Sequence, residues 1–166
     1  MFQSEFCDVS YNEELNIVFV KWKKFCCQDD YRKPLLYALD IMKNHNDCHY
    51  VADTRDGFEN EKTDTEWLFK VFLPEVSSTE CKIIFFIIDN DNSLKKELEG
   101  QSIELKKKFN VFYCFSLDEI KYILEKEKAK KIINGVNEIY DFNAWYTFWK
   151  DLGLKARNEK LYVSLT

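Results

Sequence analysis

The sequence predicts an α/β protein: a mixed, mostly parallel sheet flanked by helices, with elements in the order β-β-α-β-α-β-α-β-α. Two apolar runs, Ile17-Val18-Phe19-Val20 and Ile83-Ile84-Phe85-Phe86-Ile87-Ile88, are apolar on both alternations. Strands covered on two faces read this way, whereas half-solvated strands alternate. Between such runs lie segments whose apolar residues recur at helical spacing. Short connections between alternating strands and helices imply parallel pairing through right-handed crossovers, with an antiparallel pair only at the start.

In chain order, Glu5–Ser10 and Asn16–Trp22 read as an opening hairpin around Asn12-Glu13-Glu14. Asp29 or Asp30 then caps a helix with Tyr31, Leu35, Ala38, Leu39 and Met42 on one stripe, and Pro34 is expected near its first turn. His49–Ala52 is the next strand. Thr63-x-x-Glu66 has the form of a capping box before Trp67, Leu68, Val71 and Phe72, and Pro74 is expected to end that helix. Lys82–Asp89 is the central strand. Ser93 caps a helix to about Phe109, Val111–Phe115 is a strand, and Ser116-Leu117-Asp118-Glu119 opens a helix with Ile120, Ile123 and Leu124 inward. This α/β domain spans residues 1–126. Residues 127–166 form an aromatic-rich extension: Phe142, Trp145, Tyr146, Trp149 and Leu152 share a helical face, Gly153 stops that helix, and Lys160–Leu165 reads as a strand. The extension packs on its own domain or on a dimer partner.

Length and composition bound the rest. A chain of 166 residues, 46% hydrophobic and 16% aromatic, supports one ordered core. A net charge of −5 disfavours nucleic acid and anionic lipid as partners, and the lysine clusters at 21–24, 106–108 and 128–131 read as solvated faces. The start, Met1-Phe2-Gln3-Ser4-Glu5-Phe6, lacks a charged leader and an apolar stretch, so a cytoplasmic location is expected. The longest apolar run is far short of the roughly 20 residues needed to span a bilayer, so no membrane insertion is expected.

The six cysteines include no C-x-x-C pair and are accompanied by only two histidines, so buried thiols are expected rather than a metal or disulfide framework. Cys48-His49 offers a nucleophile beside a base, but neighbours on a strand point to opposite faces. No phosphate-cradling glycine loop, nucleophile elbow or zinc-protease motif is present. The acidic pairs Asp29-Asp30 and Asp89-Asn90-Asp91 suit a divalent cation or acid-base chemistry in principle, and are ordinary turn and helix-start residues otherwise.

The order of elements, together with Val51-Ala52-Asp53-Thr54-Arg55, Glu66-Trp67 and Lys82-Ile83-Ile84-Phe85, resembles the STAS/SpoIIAA-like group of small bacterial domains over about residues 5–126. The resemblance implies a non-enzymatic domain used for protein association, phosphorylation-controlled switching or small-ligand binding, with no cofactor. In the switching members, an Asp-Ser-Ser/Thr-Gly type turn carries the acceptor hydroxyl. Here the turn reads Asp53-Thr54-Arg55-Asp56-Gly57, so Thr54 matches the first hydroxyl residue, Arg55 stands at the acceptor position, and the glycine comes one place late. Thr54, Thr63 and Thr65 are the candidate phosphoacceptors.

The expected contact surface is Asp53, Thr54, Arg55 and Trp67, because open α/β sheets work at the carboxyl ends of their strands. Arg55 there offers a planar donor fork for a carboxylate or phosphate, or else ties the loop to its own domain through Asp53. Trp67 is a binding platform or a core anchor. The leading expectation is a non-enzymatic protein-interaction or regulatory domain, self-associating as a homodimer or binding another protein. The alternative is a small-ligand or lipid-binding module of SEC14-like type, with an apolar cleft beside Trp67.

Overall fold

A computed structural model describes residues 1–89, 100 and 102–139, with the backbone alone for 131 and 133–139. The chain divides into two compact units, Met1–Tyr122 and Ile123–Thr166, with the boundary inside the last helix. The first unit holds a six-stranded sheet: β1 (Phe2–Gln3), β2 (Cys7–Asn12), β3 (Ile17–Trp22), β4 (His49–Asp53), β5 (Ile83–Ile87) and β6 (Asn110–Cys114), in that spatial order. The first three strands pair antiparallel and β3 to β6 pair parallel. The fold is therefore α/β with a mixed sheet flanked by helices, as the alternation of apolar runs and helical stripes predicts.

Helix α1 (Asp29–Asn44) buries Tyr31, Leu35, Ala38, Leu39 and Met42, the stripe expected from spacing. Pro34 is also buried but sits in the second turn rather than the first. Along the sheet, Val18, Val20, Trp22, Tyr50, Ala52, Ile84 and Phe86 share the cluster that this stripe joins, together with Phe72, Leu73 and Val76 from the next helical segment. The crossovers through both segments thus fall on one face of the sheet. On the other face Ile17, Val51, Phe85 and Ile87 are buried, and Phe85 stacks on Phe112 with ring centroids 5.6 Å apart.

Four local expectations change. The hairpin begins at Cys7 because the Ser4 hydroxyl accepts the backbone N–H groups of Phe6 (3.2 Å) and Cys7 (3.0 Å), which turns the chain and lays the short strand β1 against β2. The segment after β4 starts as α2 (Lys62–Trp67) with Glu61 at its N-cap and no side-chain cap, so Thr63 lies inside the helix, exposed, and forms no capping box. Pro74 does not end the helical path. A π turn, Leu68–Phe72, intervenes, with the Leu73 N–H donating to the Leu68 carbonyl five residues back, and Pro74 falls in the first turn of α3 (Leu73–Ser77), where its missing N–H costs nothing. The wider turn adds a residue and rotates the apolar face by about 100°. Val71, expected inward, is therefore exposed, and Leu73 and Val76 are buried instead.

Residues 102–105 are helical, with Leu105 and Phe109 in the core, whereas the start expected at Ser93 lies outside the described residues. Helix α4 (Leu117–Ile139) opens as predicted: the Glu119 N–H donates to the Ser116 hydroxyl (3.3 Å), and the Phe115 N–H donates to the Glu119 carboxylate (2.8 Å). Its first turns reach the β2–β3 turn, where Lys121 meets Glu14 at 3.2 Å. In the second unit, Lys130 pairs with Glu127 at 2.8 Å on the same helix. The aromatic face and terminal strand expected within 140–166 lie outside the described residues. Among the described residues, no helix is long and apolar enough to cross a membrane.

All six cysteines are free thiols, and every one except Cys27 is buried. Burial pushes Cys7, Cys26 and Cys81 up to about 12, and Cys48 and Cys114 up to about 11. An unfolded chain releases these protons from the ordinary value of 9.0 upward while the folded state retains them, so folding stability falls as pH rises from about 9 to 12. Each thiol adds a slope of up to about 1.4 kcal/mol per pH unit. Urea unfolding at pH 8 and pH 10 measures that loss. A thiol reagent at pH 8 is expected to label Cys27 alone in the folded protein and all six in urea.

Candidate functional site

At the carboxyl ends of β3, β4 and β5, the helix layer and the sheet do not close completely. Between them lies a cavity of about 80 Å³. Its floor is the sheet, through Trp22, Tyr50, Ala52, Ile84 and Phe86, and its roof is Tyr31 and Leu35 of α1 with Leu68, Phe72, Leu73 and Val76. Thr54, Gly57, Phe58 and Asn60, from the loop joining β4 to α2, and Leu105 complete the lining. Native interiors contain few voids larger than one water molecule, and about 10–15 Å³ suffices for one.

The walls are held by ring contacts. Trp22 stacks on Tyr31 with centroids 5.1 Å apart and 16° between planes, and Phe58 meets Trp22 edge-on at 5.7 Å. Phe25, 52% exposed, meets Phe58 edge-on at 5.2 Å and continues the aromatic row to the surface. Tyr50 stands edge-on to Phe72 at 6.1 Å. Tyr50 is 7% exposed, and burial raises its phenol well above the ordinary value, so it stays protonated.

Beside the cavity, Asp64 fastens the two crossovers to each other. This aspartate, in α2, is 1% exposed. Its carboxylate accepts the backbone N–H of Gln28 (2.7 Å) and the Nε–H of Arg32 (2.7 Å), and the Arg32 Nη2 is also 2.7 Å away. Gln28 is the N-cap of α1 at φ 52°, ψ −123°, a backbone region that favours glycine. The cap of α1 therefore comes from another helix, not from Asp29 or Asp30. Arg32 in turn lies 5.5 Å over the Trp67 ring, a cation–π arrangement.

The structure separates the residues proposed from sequence. Asp53, at the end of β4 and buried, receives Arg55 in a fork: Nε–H to Oδ1 at 2.9 Å and Nη2–H to Oδ2 at 2.7 Å. The hydrogen bond first and the charge of Asp53 second push the guanidinium further up, with smaller contributions from Asp56 and Asp89. Arg55 thus ties its own loop down. Thr54 is buried at the cavity wall, and its hydroxyl and backbone N–H both donate to the Ile87 carbonyl, at 3.0 and 2.9 Å. Trp67 is half-buried, stacks on Phe72 at 6.0 Å and belongs to the Arg32–Asp64 group rather than to the cavity wall. Thr63 is exposed and Thr65 half-buried on α2.

Sequence reading missed Tyr50, Phe58 and Asp64. Tyr50 and Phe58 carry no motif, and only pairing β3, β4 and β5 in register brings them to Trp22 and Phe86. Asp64 had one signal: an acidic residue in the first turn of a short helix, where a carboxylate can serve a neighbouring helix start as well as its own. Asp89 touches this group only as a small electrostatic contribution at Arg55, while Asp91 is outside the described residues. Among the described residues, no cluster of three or more His, Cys, Asp or Glu is placed to hold a metal ion.

The two aspartate–arginine pairs differ in what each removal leaves behind. Asp64→Ala leaves the Gln28 N–H and a guanidinium that is only 30% exposed without their acceptor, and should destabilise by about 3 kcal/mol. Asp53→Ala releases Arg55 to solvent and should cost only about 1 kcal/mol. Urea denaturation of the two variants measures both. Comparison with family models, with curated proteins and with solved structures finds no match to this chain, so the cavity and its walls stand on their own chemistry.

Proposed function

We propose that this protein is a non-catalytic α/β module that binds a small neutral molecule in the cavity between its sheet and helix layer. The observation that carries the reading is a void of about 80 Å³ with aromatic and aliphatic walls at the carboxyl edge of the sheet. A molecule of matching shape that binds the folded state there stabilises it by mass action. The volume is roughly half that of an engineered cavity, about 150 Å³, that accepts benzene. It suits a compact molecule rather than the lipid of the SEC14-like form of this reading. Phe58 is the wall with most freedom to enlarge the space, because the loop from Thr54 to Glu61 contains no helix or strand.

The experiment is a titration with benzene as a neutral probe, followed by NMR of the Leu35, Val76 and Ile84 methyl groups and by the thermal midpoint. Saturable shifts at these methyls and a rising midpoint are the expected result; unsaturable, scattered shifts overturn the reading. Ala52→Val, which adds two methyl groups at the cavity floor, should stabilise the protein by about 1 kcal/mol and weaken probe binding.

A second reading is protein association by a STAS-like domain, with a homodimer as its simplest form. It is favoured by β6, which is the last strand of the sheet among the described residues and carries Val111, Phe112 and Tyr113 half-buried. A strand in this position can accept another chain by strand addition. Sedimentation over a wide concentration range tests it: a concentration-dependent dimer is expected, and a monomer throughout overturns self-association.

A further inference from the structure

Most of the cavity wall is closed to solvent, and the part that is not lies in one place. Among the described residues of the lining, Gly57, Phe58, Asn60 and Leu68 are half-buried and the rest are buried. Three of these four belong to the loop from Thr54 to Glu61, so the partly open cavity has its mouth between this loop and the start of the π turn. Every other large apolar side chain of the lining stands on a strand, a helix or the π turn; Phe58 is carried by irregular backbone. The loop is fastened at both ends. Thr54 donates twice to the Ile87 carbonyl, at 3.0 and 2.9 Å, and the Asp64 N–H donates to the Glu61 carbonyl at 3.0 Å where α2 begins. Between these ends the Phe58 ring meets two rings outside its own loop, both edge-on: Trp22 on the cavity floor at 5.7 Å and the exposed Phe25 at 5.2 Å.

We infer that Phe58 is the gate of the cavity: a guest reaches the space over Trp22 when the Phe58 ring swings off Trp22 toward Phe25, so this one side chain controls admission to the site. This rests on the reading of the cavity as a ligand site. A ring that leaves Trp22 leaves no polar group unmet, unlike a broken buried hydrogen bond, and carbon atoms of a guest can replace the contacts it gives up. Phe25 offers the displaced ring a second apolar seat outside the cavity. Leu68, on the other side of the mouth, is held by its backbone, since its carbonyl accepts the Leu73 N–H. A loop pinned at its ends with a free middle is the ordinary form of a lid over a binding site.

The test measures benzene exchange from the NMR line shapes of the Leu35 and Ile84 methyl groups in the intact chain, Phe58→Ala and Val76→Ala. The association rate is expected to rise by about tenfold or more in Phe58→Ala, because binding no longer waits for a conformational step. Val76→Ala enlarges the space at the fixed roof, and should change dissociation while leaving association as it is. Thermal midpoints check that the variants fold, and Phe58→Leu, a smaller side chain on the same loop, should raise association by about threefold if the alanine variant does not fold. If benzene binds and associates equally fast with the intact chain and the Phe58 variant, Phe58 is a wall and not a gate, and the ligand site stands. If benzene does not bind the intact chain saturably, the ligand-site reading itself is overturned.

Discussion

The arrangement at the carboxyl edge depends on the buried carboxylate of Asp64. It fixes two things that the sheet alone leaves free: where α1 begins, through the Gln28 N–H, and how close α2 lies to it, through Arg32. Both helices start on loops leaving neighbouring parallel strands, β3 and β4, and the cavity lies beneath those loops. A buried carboxylate is costly unless every lone pair is used, and here a backbone amide and a guanidinium use them. The positive φ of Gln28 indicates that the junction is held from outside the local sequence, because a residue other than glycine adopts that conformation only where its surroundings impose it.

Much of the architecture was legible because it rests on patterns of period two and 3.6. The doubly apolar runs at 17–20 and 83–88 mark strands buried on both faces, and the stripe from Tyr31 to Met42 marks the buried face of α1. Legibility failed where the period itself changes. The π turn at Leu68–Phe72 shifts the inward face from Val71 to Leu73 and Val76, and a window of constant spacing carries the old phase past it. The short strand β1 was invisible for another reason: two residues have no periodicity, and their strand state depends on the Ser4 turn that lays them against β2.

The site was less legible than the fold, and the reason is chemical. Asp-x-Arg at 53–55 looks like a surface fork in sequence, but two residues apart at a strand end the groups can reach each other, and they do. Thr54 carries a hydroxyl that suggests an acceptor for modification, yet strand pairing sets it against the Ile87 carbonyl. The residues that define the cavity are instead ordinary core types: Trp22, Tyr50, Phe58 and Phe86. Apolar sites announce themselves by a gap in packing, and a gap is a property of the assembled layers rather than of any residue.

The strand order carries one more consequence. From β3 to β6 each parallel strand is laid beside its predecessor without a reversal, so among the described residues the strand order contains no switch point of the kind that opens a ligand crevice. A guest in this fold must lodge between layers, in space that would otherwise belong to a side chain. It then behaves as a missing core residue supplied from solution. Under the proposed reading, occupancy and the cohesion of the helix layer would be linked, so a surface that senses how firmly α1 and α3 are seated would also sense the guest.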